Sequence, residues 1–225
     1  YPNALKYAER AISLESNPGV INNYQLLKGY VFLNTKRYPE AEAIFKDILK
    51  KGTPLQVKKA KVGLGHLELT RANYSLAQQY FQEMLKIDKT DPMANLGLAW
   101  LNSNQNKHQE ALPYYENILK NKPSHILALL GKGNALMGLK RTKEAEALFK
   151  QVLKIEPENE YAMAELGIVS YNRQDDKTAQ QLFNQALKKN PSTYSCPYEG
   201  LGLVYLKANK LKEAEENFKR AISVN

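Results

Sequence analysis

Apolar residues recur along the chain with the period of an amphipathic helix, and one pattern returns six times. Each copy places an aromatic residue four positions after an alanine, as in RYPEAEAIFKDIL and RTKEAEALFKQVL. The alanines, 34 to 36 positions apart, are Ala41, Ala77, Ala111, Ala145, Ala179 and Ala214, and the aromatic residues are Phe45, Phe81, Tyr115, Phe149, Phe183 and Phe218. Because residues four apart share one face of a helix, each pair predicts a buried stripe against which another helix packs closely.

A second small residue precedes these alanines by twelve positions. The residues are Gly29, Gly65, Ala99, Gly133, Gly167 and Gly202. Glycine inside a helix costs about 1 kcal/mol relative to alanine, so its recurrence indicates close backbone packing. Each copy therefore predicts two antiparallel helices of about 12 to 15 residues, A and then B, joined by a short turn. Pro123, Pro157 and Pro191 are predicted to open the following A helices, where a missing N–H does no harm.

This pattern resembles the tetratricopeptide repeat, which has a 34-residue period and the signature W-x2-L-G-x2-Y, A-x3-F, P. The best matches are ELGIVSY with TAQQLF and NP, GLGLVYL with EAEENF, and GKGNALM with EAEALF and EP. No copy carries tryptophan at the first signature place. The resemblance implies an all-α fold, a right-handed α-α superhelix (solenoid) of antiparallel helix hairpins.

We predict a single tetratricopeptide-repeat domain over residues 1–225. A half-repeat, residues 1–21, precedes six repeats at about 22–57, 58–91, 92–125, 126–159, 160–194 and 195–225. The first two full repeats are longer than the rest around SNPGVINN and KKGTPLQ, and we expect the extra residues to lengthen the turns between repeats. Because the chain begins on a B helix without its A helix, we expect a segment of a longer protein.

One face of every A helix is more apolar than the core of its own repeat requires. With Asn22, Lys58, Pro92, Ile126, Glu160 and Ser195 taken as first residues, this face holds the second, fifth, ninth and twelfth places. In the resembled family these places line the concave wall that binds peptides or partner helices. The predicted binding groove comprises Leu26, Tyr30, Lys59, His66, Met93, Trp100, Leu127, Asn134, Met137, Tyr161, Ile168, Tyr171 and Leu203.

Trp100, the chain's one tryptophan, lies in the middle of this face and is predicted to anchor a ligand there. Met93 and Met137 would let the groove adapt to several apolar side chains. The alternative is that part of the face packs between neighbouring A helices. That alternative applies first to the fifth-place residues Leu26, Val62, Leu96 and Leu130.

The groove chemistry favours an apolar partner. Some members of the resembled family hold a terminal carboxylate with lysine, arginine and asparagine at defined A-helix places, but here those places carry mostly Leu, Val, Gly and Tyr. Only Asn134 and Lys59 are polar there, which disfavours such a clamp. We therefore expect a non-enzymatic scaffold or adaptor that binds an amphipathic helix or an apolar extended segment. Self-assembly into a homo-oligomer through the ends of the array is the alternative.

The net charge of the chain does not alter the expectation of an apolar protein partner. Lysine and arginine outnumber aspartate and glutamate by 32 to 23, which leaves a net charge of +9 and raises the question of nucleic acid. The lysines, however, cluster at helix ends, as in ILKKG and ALKKN, where positive charge offsets the helix dipole. RNA binding by this chain, as seen in related helical repeats, is thus a less favoured hypothesis, because the groove has few regularly placed Arg or Asn residues.

No catalytic or cofactor signature is present in the sequence. The GLG and GKG motifs fall inside predicted helices and lack the lysine and hydroxyl residue of a phosphate loop. His66, His108 and His125 have no zinc-binding spacing with each other or with Cys196. We predict no metal, no cofactor, no membrane-spanning segment and a structural role for Cys196, and the sequence assigns no compartment.

Overall fold

The computed structural model of the protein describes residues 2–189 and 194–224, and these fold into helices joined by turns. Within that part of the chain there are thirteen helices and no strand, so the fold is an all-α helical repeat, as predicted. The helices are α1 (Pro2–Leu14), α2 (Pro18–Asn34), α3 (Tyr38–Lys51), α4 (Pro54–Thr70), α5 (Tyr74–Leu85), α6 (Pro92–Asn104), α7 (His108–Asn121), α8 (Ile126–Gly138), α9 (Thr142–Ile155), α10 (Glu160–Asn172), α11 (Asp176–Lys189), α12 (Cys196–Lys207) and α13 (Leu211–Ser223).

The chain divides into two compact units, residues 1–118 and residues 119–225. In unit 1 the consecutive helices of the series α1 to α6 pack on one another, and the A helix α4 also contacts the A helices α2 and α6. In unit 2 the consecutive helices of the series α8 to α13 pack on one another, and α10 contacts α12. Helix α1 is the predicted B helix of the half-repeat.

The alanine–aromatic stripes form the core, as predicted. Ala41, Phe45, Ala77 and Phe81 have no exposed surface. The Phe45 ring, on α3, fills the space beside Gly29 on α2, the A helix of the same repeat. It also fills the space beside Gly63 on α4, the A helix of the next repeat. A Cβ added to Gly63 would lie 2.4 Å from the Phe45 ring, so the ring occupies the volume that any side chain at this place would need.

The long first two repeats extend their A helices instead of their turns, contrary to the prediction. Helices α2 and α4 have 17 residues each, because Asn17 caps α2 and Thr53 forms a capping box with Gln56 at the start of α4. The Gln56 side chain also donates hydrogen bonds to the Gly19 carbonyl at 2.7 Å and the Asn23 side chain at 3.0 Å. Hydrogen bonds of a partly buried polar network therefore join the added first turns of α2 and α4.

The prediction that Pro123 and Pro157 open A helices is also wrong. Both lie in turns, three residues before α8 and α10 begin, and those helices are capped by His125 and Asn159 instead. The prolines that do begin A helices are those of the longer repeats and of α6, namely Pro18, Pro54 and Pro92. Pro191 lies outside the described residues.

Every A–B turn has one residue with a left-handed backbone conformation at the same position of the turn, and none of these residues is glycine. They are Lys36, Ala72, Asn106, Lys140, Gln174 and Asn209, with φ between 57° and 65°. In each turn the next N–H reaches back to the carbonyl five residues earlier, as from Arg37 to Phe32 at 2.8 Å. These are Schellman motifs, which satisfy the last carbonyls of each A helix.

Glycine at one of these turns should stabilise the fold. Ala72 is exposed and has φ 57°, so Ala72→Gly removes a backbone strain of about 1 to 2 kcal/mol while raising unfolded-state entropy by less. We expect a net gain of about 0.5 to 1 kcal/mol in urea unfolding. The same substitution at exposed, helical Ala43 should instead cost about 1 kcal/mol, and equal effects at the two sites would contradict the strain argument.

Candidate groove sites

The structure distributes the predicted groove residues over three levels of exposure. Leu26 and His66 are buried; Tyr30, Trp100, Met137, Ile168 and Tyr171 are half-buried; Lys59, Met93, Leu127, Asn134, Tyr161 and Leu203 are exposed. At the fifth places the packing alternative describes what is seen, since Leu26, Val62 and Leu96 are buried and Leu130 packs beside Leu129 and Val152. The most accessible of the predicted groove residues are Lys59, Met93, Leu127 and Tyr161 at second places and Asn134 and Leu203 at ninth places.

In unit 1, Tyr30 at a ninth place and Lys59 and Met93 at second places line a pocket together with residues from other places. Its volume is about 360 Å³, and it lies between the groove sides of α2, α4 and α6. The pocket is lined by Tyr30, Asn34, Lys59, Val62, Asp91 and Met93. Its lining therefore combines apolar and aromatic side chains with an amide, an ammonium and a carboxyl group, which is the usual chemistry of a binding pocket.

Tyr30 fixes one wall of this pocket. Its hydroxyl group donates a hydrogen bond to the Lys59 carbonyl oxygen at 2.6 Å, which ties α2 to α4 across the groove. Its ring meets Phe45 edge-on at 5.2 Å, and burial raises the pKa of the phenol. Tyr30 is thus held rigid, which favours ligand binding because little side-chain entropy remains to be lost.

Asp91 also lines the pocket and caps α6. Its Oδ1 accepts a hydrogen bond from the Ala94 N–H at 2.7 Å. Partial burial and the nearby Asp88 raise the pKa of this carboxyl group above its usual range, against the lowering effect of the hydrogen bond. Sequence reasoning missed Asp91, although an Asp directly before a proline-led helix is a recognisable capping signal.

Trp100 lies beside the buried imidazole of His66. The two rings meet edge-on with centroids 5.8 Å apart, and His66 also contacts Phe81 at 4.9 Å. Burial lowers the pKa of His66 to about 4, with a backbone hydrogen bond at Met93 opposing the shift, so the ring is neutral at pH 7. Its Nε2 has no hydrogen-bond partner among the described residues. Trp100 is therefore half-buried on the groove face, and its ring contacts the neutral imidazole ring of His66 edge-on.

In unit 2 the structure brings Tyr161 next to Tyr194. Their rings are stacked, 4.6 Å apart with an interplanar angle of 25°, and the Tyr194 hydroxyl group lies 3.4 Å from the Glu160 carbonyl oxygen. Elsewhere in the unit, the Lys207 ammonium group lies 5.7 Å from the centre of the Tyr171 ring.

Unit 2 also contains a half-buried carboxyl group, that of Glu165 on α10. The Asn134 side chain hydrogen-bonds to it, and burial raises its pKa to about 7. Sequence reasoning missed Glu165, although the repeat alignment contained a signal. Four of the five equivalent places carry glycine, namely Gly63, Gly97, Gly131 and Gly200, and the first repeat carries Leu27.

Within residues 2–189 and 194–224, no three His, Cys, Asp or Glu side chains are grouped to hold a metal ion. None of the helices described there combines the length and apolarity that crossing a bilayer requires. Cys196 is half-buried, and burial together with Glu165 and Glu199 raises its pKa to about 12, which keeps the thiol protonated.

Models of the tetratricopeptide repeat match nearly the whole chain. One matches residues 1–55 and 62–126, a second matches 104–166 and 136–195, and a third matches 197–225. The chain belongs to the tetratricopeptide-repeat family. Tetratricopeptide repeats are protein-interaction modules, so the chain is a protein-binding scaffold in general terms.

Solved tetratricopeptide-repeat structures share this fold at low sequence identity. A tetratricopeptide repeat protein from Parabacteroides merdae is 20% identical, with a TM-score of 0.68 over 91% of this chain and 80% of that one. The type IV pilus biogenesis factor PilW is 19% identical, with a TM-score of 0.74 over 90% and 91%. The APC/C hetero-tetramer Cut9-Hcn1 is 18% identical, with a TM-score of 0.85 over 98% of this chain and 42% of that chain. No curated protein matches the chain significantly.

Proposed function

We propose that this tetratricopeptide-repeat chain is a non-enzymatic adaptor that binds an apolar or amphipathic peptide segment of a partner protein along the groove face of its A helices. The observation that carries the proposal is the pocket of about 360 Å³ in unit 1, where Tyr30, Val62 and Met93 form apolar walls. Met93 is 39% exposed on this wall, although nothing in the repeat core requires an apolar side chain there.

The polar side chains of the pocket indicate an amphipathic ligand. Lys59 and Asp91 add opposite charges to its lining, and Asn34 adds an amide group. A peptide with an apolar anchor flanked by polar residues would bury the anchor against Val62 and Met93 while its polar groups meet these polar side chains. Trp100, half-buried on the same face of α6, would add contact area beside the pocket.

A random peptide library displayed on phage and selected on the whole chain tests this proposal. Peptides enriched on the wild type should bind Met93→Glu at least about tenfold more weakly, because a buried carboxylate would replace an apolar contact. Ile87→Glu is the matched control, since Ile87 is an apolar residue 56% exposed outside this pocket, and it should leave binding unchanged.

Both variants should keep the helical circular dichroism spectrum of the wild type, because both positions are exposed. Enrichment of no peptide, or equal binding of the enriched peptides to Met93→Glu and the wild type, would overturn the proposed groove.

A further inference from the structure

A basic cleft lies in unit 2, beside the turn that joins α8 to α9. It has a volume of about 470 Å³ and lies between this turn and the end of α10. Four basic side chains line it, those of Lys140, Arg141, Lys143 and Arg173, together with the carboxyl group of Glu144. The cleft therefore concentrates positive charge at one place on the surface, which attracts anionic groups.

No other A–B turn of the chain carries as much positive charge. The left-handed residue and the three residues that follow it read KRTK here, whereas the other five turns read KRYP, ANYS, NKHQ, QDDK and NKLK. Lys140 and Lys143 are exposed, and neither forms an ion pair with any of the described residues. Their two ammonium groups are therefore available to a ligand.

The two arginines of the cleft already have carboxylate partners within unit 2. The Glu144 oxygens accept hydrogen bonds from Nε and Nη2 of Arg141 at 2.7 Å and 2.8 Å, and Glu146 pairs with Arg173. Unit 1 contains the same two pairs, Arg37–Glu40 and Arg71–Glu42. These pairs are therefore a feature of the repeat, and the charge left without a partner is that of the two lysines.

Thr142 leaves space at a place where the other turns carry a larger or charged side chain. The equivalent residues are Tyr38, Tyr74, His108, Asp176 and Leu211. In unit 1 the rings of Tyr38 and Tyr74 pack against the hydrophobic clusters beside them, and in unit 2 Asp176 pairs with Lys207 at 2.8 Å. Thr142 has neither a ring nor a charge, so the cleft beside it stays open to a group from outside the chain.

The surroundings of the cleft favour a short acidic peptide over nucleic acid. Among the described residues no aromatic side chain lines the cleft, whereas proteins that bind single-stranded nucleic acid stack bases on such rings. The next turn of unit 2 carries Asp175 and Asp176, which repel a phosphate backbone because that backbone is charged along its whole length. A short cluster of acidic side chains needs only the cleft.

We propose that this cleft binds a short acidic segment of a partner protein, whose Asp or Glu carboxylates pair with Lys140 and Lys143. Charge-assisted hydrogen bonds to the two ammonium groups supply the attraction, and added salt weakens it because both groups are exposed. The cleft shares no residue with the pocket of unit 1, so this site goes beyond the proposed peptide groove.

Fluorescence anisotropy at low salt tests the proposal on the whole chain. The probe is a fluorescein-labelled hexapeptide of alternating Asp and Glu, and its neutral analogue alternates Asn and Gln. The acidic probe should bind saturably and the neutral one should not. The double variant Lys140→Gln, Lys143→Gln should bind the acidic probe about tenfold more weakly, because both ammonium groups are gone.

The matched control removes two lysines from the equivalent turn place of the next two repeats. Lys177 and Lys212 stand where Lys143 stands, and both are exposed. The double variant Lys177→Gln, Lys212→Gln has the same net charge as the cleft variant, yet it should change binding less than about twofold. Equal losses in the two double variants would show attraction to the net charge alone and would overturn the proposal.

Thr142→Tyr separates a shaped cleft from a charged surface. The substitution keeps every charge and restores the ring that unit 1 has at this place. It should keep the helical circular dichroism spectrum and weaken binding of the acidic probe by about fivefold or more, because the ring takes up space in the cleft. Undiminished binding by this variant or by the Lys140, Lys143 variant would overturn the proposal. So would tighter binding of a labelled oligouridylate hexamer through the same two lysines.

Discussion

Gly97→Ala is expected to destabilise unit 1 by about 2 kcal/mol, although alanine is the better helix former. An added Cβ would lie 2.3 Å from Cζ of Phe81 and 2.5 Å from its Cε1. The ring cannot retreat, because Phe81 has no exposed surface and faces Gly65 on its other side. Overpacking costs about 1 to 3 kcal/mol, and a contact this close to a ring that cannot move takes the upper end, so about 2 kcal/mol remains after the helix-propensity gain of about 1 kcal/mol.

Urea unfolding followed by Trp100 fluorescence measures this effect, since Trp100 is the one tryptophan and lies three residues from Gly97 on α6. Gly138→Ala is the control, because Gly138 is exposed at the end of α8, and it should be neutral or stabilising by up to about 1 kcal/mol. In a Phe81→Leu background, where the ring is gone, Gly97→Ala should lose most of its cost. The same cost in both backgrounds would show that the ring is not the cause.

Mild acid is expected to weaken unit 1 through His66. Burial lowers the pKa of His66 from 6.5 to about 4. Between these values the unfolded chain holds a proton on His66 and the folded chain does not, so the free energy of unfolding falls as the pH is lowered through this range. The loss should reach about 3 kcal/mol near pH 4, at 1.36 kcal/mol for each unit of the shift. Above about pH 6.5 the contribution no longer changes with pH.

Unfolding curves recorded at several pH values, again with Trp100 fluorescence, test this expectation. His66→Leu should remove most of the pH dependence in this range, because the titrating group is gone while an apolar side chain of similar bulk still fills the site between Phe81 and Trp100. A His66→Leu variant with the same acid slope as the wild type would assign the slope to other groups.

The helix pairs could be predicted because their signals are periodic and local. Ala41 with Phe45, and Ala77 with Phe81, lie four residues apart on one helix face, and this spacing requires burial whatever the partner is. The recurring glycines indicated close approach, and the structure confirms it by placing the Phe45 ring against Gly29 and Gly63.

Details at the helix ends were harder to predict, because they depend on competing caps. The residues before α2 and α4 could have formed longer turns, but the Asn17 cap and the Thr53–Gln56 capping box extend the helices instead. None of the residues that adopt the left-handed conformation in the A–B turns is glycine, so no residue type marked these turns in advance. Lys36 and Ala72 adopt positive φ because the returning helix imposes it on the turn.

The repeat, the helix pairs and the identity of the core stripes could be predicted from the amino-acid order alone, since they follow from spacing along one chain and from the burial of apolar side chains. Which groove-face residues stay accessible could be seen only once the helices were packed together. Leu26 and His66 carry the same pattern as Tyr30 and Met93, yet the first two are buried and the others line a pocket. That difference depends on how closely neighbouring A helices approach, which is set by contacts between residues about 30 positions apart, such as the Tyr30–Lys59 hydrogen bond, and not by any local period.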